Sequence, residues 1–377
     1  MEQTVARVVP RLRLQLNWRL VGMMLVVKVV VLIAGGLVVQ LLGNQRLPTL
    51  RSWLDIWNAW DAPHYLDLAA YGYQNSGELR LFLVFYPLYP WLIRLAGWPL
   101  GDYLLGAFIV STIASLATGL LMYRLVSLDE SPRVASRSVW FLFILPTAYF
   151  LHIGYTESLF LALAFGCLLA ARQNRWWLAG LLGAAASLTR VNGLLLLPVL
   201  LVEALHQFWL TRRWHWQWLW SGAVVLGFAA YLLLNYRVTG DPFAFSKIVE
   251  QHWYKSLTWP WVGIKATITS VATRKPVTVW GIFVPELVFI ILSLLATLIC
   301  AFKLRPAYTV WMALNWLLFT STSFILSVPR YTLLLFPIAI LLARAGQRRL
   351  WLGLLSLISI AGLVLFASLF LLKLGGY

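Results

Sequence analysis

Leu20-Val-Gly-Met-Met-Leu-Val-Val-Lys28-Val-Val-Val-Leu-Ile-Ala-Gly-Gly-Leu-Val-Val-Gln40-Leu-Leu42 is a run interrupted only by Lys28 and, near its end, Gln40. About 20 consecutive apolar residues are enough for one helix to cross a bilayer. Similar runs recur as far as Leu372, so the pattern describes a polytopic membrane protein. The 377-residue composition agrees: 61% is AVILMFWYC and 11% is charged, against about 25% charged in a soluble domain. A soluble enzyme, a secreted disulfide scaffold and a disordered tail protein are thereby excluded. Cys167 and Cys300 both fall in apolar runs, which leaves no disulfide framework or zinc site. The 30 Lys+Arg against 13 Asp+Glu, net +17, read as topology signals and an affinity for anionic lipids or phosphates, not as a nucleic-acid footprint.

The basic residues orient the chain. Arg7, Arg11, Arg13 and Arg19 precede the first run and hold the N-terminus in the cytoplasm, so that run is expected to be a retained signal anchor. The stretch 44–101 is then external, with two amphipathic segments near 61–71 and 86–98 expected to lie in the interface plane. Further spans are expected near 102–126, 138–152, 156–172, 176–190, 193–210, 216–235, 281–302, 307–326, 330–344 and 350–372, about eleven in all. Each predicted cytoplasmic turn carries at least two basic residues, such as Arg172 with Arg175 and Lys303 with Arg305. Residues 236–280 form the second long external segment. Neither segment could house a nucleotide-binding domain, and no GxGxxG or P-loop is present. The whole chain therefore reads as one membrane domain, and an enzyme of this kind would take its activated substrate from the membrane.

This threading gathers unusual polar residues on the external side: Asp61 and His64, Tyr155 and Glu157, Arg190 and Asn192, Arg330 and Tyr331. A charge at bilayer depth costs roughly 2.5–3.5 kcal/mol on insertion scales, so such residues are usually paired or functional. Asp61 could act as general base on an acceptor hydroxyl. Arg190 and Arg330 suit a phosphate and could stabilise its departure. Tyr155, Glu157, Asn192 and Tyr331 could orient sugar hydroxyls. Plainer readings stand beside these. Asp61 before Ala62-Pro63 fits a helix N-cap. His64 fits a local hydrogen-bond partner, Glu157 a residue that opens a span, and both arginines can snorkel outward. Lys28 is expected to snorkel toward the inner face. Many of the 21 Trp fall in the external segments, as anchors or as platforms for sugars. Lys247, Lys255 and their basic neighbours in 236–280 form either a solvated face or a lid over an anionic lipid.

Trp60-Asp61-Ala62-Pro63-His64-Tyr65, closing in Gly72-Tyr73, resembles the first-loop motif of the PIG-V-type mannosyltransferases. Phe85-Tyr86-Pro87-Leu88-Tyr89-Pro90 is similar to the aromatic-Pro-x-x-Pro element that follows it. Tyr155-Thr156-Glu157-Ser158-Leu159-Phe160, Arg190-Val191-Asn192-Gly193 and Pro329-Arg330-Tyr331 resemble the later elements, in order. Val191 departs from the small residue or proline common at its position. The resemblance implies a GT-C glycosyltransferase: an all-α bundle with a large first external loop that inverts the anomeric carbon on the extracytoplasmic face. It implies a polyprenyl-phosphate sugar donor, most simply mannose, and a lipid-linked or glycan acceptor. It also implies Asp61 as the catalytic aspartate, and no metal or other cofactor. Contact between Glu157 and Asp61 would reopen a metal-assisted route. The compact loops point to a bacterial membrane. Three rivals remain: a transporter or flippase for an anionic lipid, a non-catalytic assembly subunit, and a GT-C enzyme moving another sugar such as arabinose or glucose.

Overall fold

The computed structural model describes residues 17–375, and the described residues form an all-helical bundle. Arg7, Arg11 and Arg13 lie outside them. The first apolar run is α1 (Trp18–Leu41), opened by Asn17, whose side chain accepts from the Leu20 amide. The first loop then folds into α2 (Leu50–Asp55), α3 (Ala62–Tyr71), a 3-10 turn at Glu78–Val84 and α4 (Leu88–Gly97). Both amphipathic segments read from the sequence are helical. The second buries one face: Tyr89 and Ile93 are fully covered. That face packs on α5 (Tyr103–Val126), where Gly97 and Gly106 meet so closely that a Cβ on Gly106 would stand 2.8 Å from the Gly97 Cα.

The middle of the chain is made of shorter helices: α6 (Pro132–Ile144), α7 (Glu157–Arg172), α8 (Trp176–Ser187) and α9 (Leu196–Thr211), which a 3-10 turn at Val191–Leu195 extends backward. Of these, α7 is the most enclosed; nearly all its side chains are buried. The segment expected to span 138–152 is broken at Leu145-Pro146, because the residue before proline is driven out of the helical region and proline offers no N–H. Longer helices surround this centre: α10 (Val224–Thr239) with the 3-10 stretch Trp216–Ala223 that leads into it, 24 residues together, α14 (Val284–Lys303) and α18 (Arg349–Leu371). The segment 236–280, expected to be external, is largely helical, with α11 (Ala244–Trp253), α12 (Pro260–Thr273) and the short α13 (Pro276–Thr278). After α15 (Pro306–Thr320), the expected span 330–344 is two pieces, α16 (Val328–Thr332) and α17 (Pro337–Ala345), divided ahead of Pro337.

Six helices among the described residues are long and apolar enough to cross a membrane, or seven with the pair 78–84 and 88–100, bent by 118°. The protein is therefore an integral membrane protein. The expected eleven spans correspond to segments of which several are too short to cross alone. They pack among the longer ones, and hydropathy does not tell the two kinds apart where both are apolar, as in α8 and α14. Lys28 corrects another expectation. It does not snorkel; it is 8% exposed and its Nζ donates to the His152 carbonyl at 2.6 Å.

Candidate active site

Four of the gathered charges meet. Asp61 stands at the N-cap position of α3, yet its side chain caps nothing. Its Oδ2 instead accepts from Arg330 Nη1 at 2.6 Å. The backbone of Asp61 is fixed from below: its N–H donates to the Tyr155 hydroxyl at 3.2 Å, and that hydroxyl donates to the Ala59 carbonyl at 2.7 Å. Glu157, the first residue of α7, is fully buried. Its Oε1 accepts from Arg330 Nε at 2.5 Å and from Arg190 Nη1 at 2.7 Å. Arg190 also donates to Thr156 Oγ1 at 2.6 Å. The Arg330 guanidinium lies over the rings of Phe150 and Tyr155, 4.8 and 4.7 Å from their centroids. Neither arginine snorkels. Arg330 is only 7% exposed, and a charge so buried is stable only when paired.

Arg330 lies between the two carboxylates and joins them, so Asp61 and Glu157 meet through a guanidinium and not directly. Glu157 Oε2 has no hydrogen-bond partner among the described residues.

These residues line a cavity of about 500 Å³, with Asp61, Arg190, Asn192, Arg330 and Tyr331 in its wall. Asn192 is held by its amide, which donates to Asn315 Oδ1 at 2.8 Å. Tyr331 stacks on Phe319 and lies 5.9 Å below the Arg190 guanidinium. Tyr155 and Glu157 are fully buried behind Asp61 and are not in the cavity wall. His64 stands apart from the cavity lining and packs on Phe82 and Phe85 with ring centroids 4.0 and 5.7 Å away; burial lowers its pKa.

Two contributors were missed in the site reading of the sequence. Lys255 lines the same cavity, its Nζ 3.4 Å from the Leu326 carbonyl and 5.8 Å above the Tyr331 ring. It is held there because Ser256–Thr258 pairs with Ser321–Ser323, with Ser323 N to Ser256 O at 2.9 Å and Thr258 N to Ser321 O at 3.2 Å. Gly263 lets α12 come close to this pairing, since a Cβ there would meet the Thr322 carbonyl at 2.2 Å. The second is Glu286, fully buried in α14. Its two oxygens accept the amides of Ser327 at 2.7 Å and Val328 at 2.8 Å. Ser327 has φ +76, and the carboxylate secures this left-handed turn, from which α16 delivers Arg330. An acid inside an apolar run is itself a signal, because membrane insertion penalises it.

Together, the long apolar helices and their packing describe a membrane protein with a GT-C-like fold. The structure of ArnT from Cupriavidus metallidurans, bound to undecaprenyl phosphate, superposes with a TM-score of 0.52 over 90% of this chain and 63% of that one, at 16% identity, a likeness in fold. The resemblance to the PIG-V mannosyltransferases holds: residues 49–215 match the family model Mannosyltransferase (PIG-V). Over 154 residues the chain is 30% identical to GPI alpha-1,6-mannosyltransferase 2 of Mus musculus, a match covering 38% of this chain and 30% of that protein. For GPI mannosyltransferase 2 of Schizosaccharomyces pombe the identity is 31% over 143 residues, 37% of this chain and 30% of that protein. The match thus spans under a third of each relative. Asp61, Glu157, Arg190 and Asn192 fall inside the family match; Lys255, Glu286 and Arg330 fall outside it.

Proposed function

We propose that the protein is an inverting mannosyltransferase that moves mannose from a polyprenyl-phosphate donor to a hydroxyl of a lipid-linked or glycan acceptor, on the extracytoplasmic face. The observation that carries this reading is Asp61 held by Arg330 in the wall of a cavity whose other walls bear Arg190 and Lys255. The family match over the Asp61 segment supports mannose as the sugar. The fold likeness to a protein solved with undecaprenyl phosphate supports a polyprenyl-phosphate carrier.

In this mechanism Asp61 takes the proton of the acceptor hydroxyl. The hydroxyl oxygen bonds to C1 of the sugar as the C1–O bond to phosphate breaks, and the phosphate leaves with the electron pair. Charge decides how the phosphate is held. Asp61 and Glu157 offset Arg190 and Arg330, two against two, so Lys255 supplies the surplus positive charge. Arg330 orients the base and faces the leaving group; Arg190 and Lys255 neutralise the developing phosphate. Asn192 and Tyr331 orient sugar hydroxyls. The apolar side of the cavity, with Phe245, Val249 and Leu318, accepts the first units of the donor's lipid.

Purified protein incubated with a panel of labelled polyprenyl-phosphate sugars and a membrane lipid extract tests the reading. A new mannosyl product that disappears with Asp61→Asn is expected. Lipid movement without a new glycosidic bond, or transfer of a different sugar in preference, would overturn it.

A further inference from the structure

A second opening lies on the other flank of the Asp61 segment. Ala59, Trp60 and Pro63 line it, whereas Asp61 and Tyr65 line the candidate active site. It encloses about 580 Å³ and is edged by Gln45, Ser52, Asp55, Asn58 and Lys373. Asn58 Oδ1 is buried there without a hydrogen-bond partner among the described residues, a costly state for an acceptor unless a donor arrives. The charges in this mouth are one of each sign, Asp55 and Lys373. That balance suits a neutral, hydroxyl-rich group better than a phosphate, whose cations lie on the other side of Asp61.

The opening continues into an apolar groove of about 350 Å³ along the seam of α1, α6 and α18. The two lie end to end: Val38 and Ser368 line the groove, and Val39 and Leu371 line the mouth. Val30 and Val364 in the groove are 57% and 48% exposed, so it opens sideways toward lipid. Trp60 stands in the mouth, next to the base. It is a bulky residue in the left-handed region, φ +60, pinned by its Nε1–H donating to the Phe370 carbonyl at 3.2 Å. Strain of this sort persists where surrounding structure imposes it, often beside functional residues.

We propose that this groove and its mouth form the binding site for an amphiphilic acceptor, with an alkyl tail between α1 and α18 and a hydroxylated head in the polar mouth. The acceptor and the donor then approach Asp61 from opposite flanks, sorted by the chemistry of their heads. This deepens the transferase reading and rests on it for the word acceptor; the lipid site itself does not.

The test uses the full-length protein in nanodiscs and a dodecyl α-mannoside carrying a diazirine on its tail. Photolabel is expected on α1 and α18 around Val30 and Val364, competed by dodecyl α-mannoside and not by dodecyl phosphate. With polyprenyl-phosphate mannose present, the preference for dodecyl over methyl α-mannoside as acceptor should fall about tenfold in Val364→Trp and, separately, in Val30→Trp. Both side chains are largely exposed, so either variant should fold. Label confined to the Phe319 side, equal competition by dodecyl phosphate, or an unchanged preference in both variants would overturn the proposal. Label in the groove with no transfer to any acceptor would leave the lipid site standing and defeat the transferase reading. Transfer without label in the groove would do the reverse.

Discussion

Helix α7 carries an ion cluster at each end, and the two are built differently. At its C-terminal end Arg172 grips both oxygens of Asp129 at 2.8 Å. Arg305 grips both oxygens of Glu203 at 2.8 Å, and Arg344 Nε reaches Glu130 at 2.8 Å. The first two are forked pairs in which guanidinium geometry matches carboxylate geometry; Arg344 brings two nitrogens to a single oxygen of Glu130. At the N-terminal end, 15 residues and about 22 Å away, Arg330 divides itself between Asp61 and Glu157, and one oxygen of Glu157 is left without a partner. The first cluster staples the turns between helices. The second keeps unspent hydrogen-bonding capacity and borders the larger cavity, about 500 Å³ against about 300 Å³ beside Asp129, Glu130, Arg305 and Arg344. Composition alone would not separate them; saturation does.

The largest effect should come from the cavity end. Asp61→Asn keeps the side-chain shape and loses the base, and transfer should drop by about 10²–10⁴-fold with donor binding nearly intact, measured by turnover beside equilibrium donor binding. Wild-type turnover would remove Asp61 from the chemistry. Arg330→Ala leaves the buried Glu157 with Arg190 alone and takes the partner of Asp61 away, and should cost about 3 kcal/mol of stability, read by unfolding in detergent. Adding Glu157→Gln to it should restore most of the stability and none of the transfer. A double variant as unstable as the single one would show that Arg330 matters through packing.

At the other end, Arg305→Ala should cost about 2 kcal/mol while kcat and KM stay at wild-type values. A fall in kcat would erase the contrast between the clusters. Lys255→Ala should raise the donor KM about tenfold, the worth of one charge-assisted contact, with the acceptor KM unmoved. The smallest effect concerns His64. Burial holds its folded-state pKa below the usual 6.5, so the unfolded chain binds the proton first. Stability should be level above that pH and decline as pH falls through it toward the folded value. His64→Phe should flatten this slope in a pH series of unfolding midpoints.

The parts of the fold that follow from local chemistry were readable. The first apolar run, the two amphipathic segments of the first loop and the gathering of Asp61, Glu157, Arg190 and Arg330 all depend on residue type and spacing. The breaks at Leu145-Pro146 and ahead of Pro337 were readable in principle but hidden, because apolar residues continue on both sides. Pairing was not readable. Arg330 and Asp61 are 269 positions apart, and Arg330 and Glu157 173 apart, so nothing local links them. The same holds for Lys255, whose place depends on a short strand-like pairing between Leu257 and Thr322, 65 positions apart, and for the hold of Glu286 on the turn that precedes Arg330.

The length of α7 has a consequence for salt. At 16 residues against 24 for its neighbour α5, it is shorter by about 12 Å, and Glu157 at its first position is wholly covered. A carboxylate enclosed in this way draws its cations from other segments, Arg190 and Arg330. Buried pairs are screened by dissolved ions much less than exposed ones. The number of turns in one helix thus sets the ionic strength that this end of the molecule tolerates.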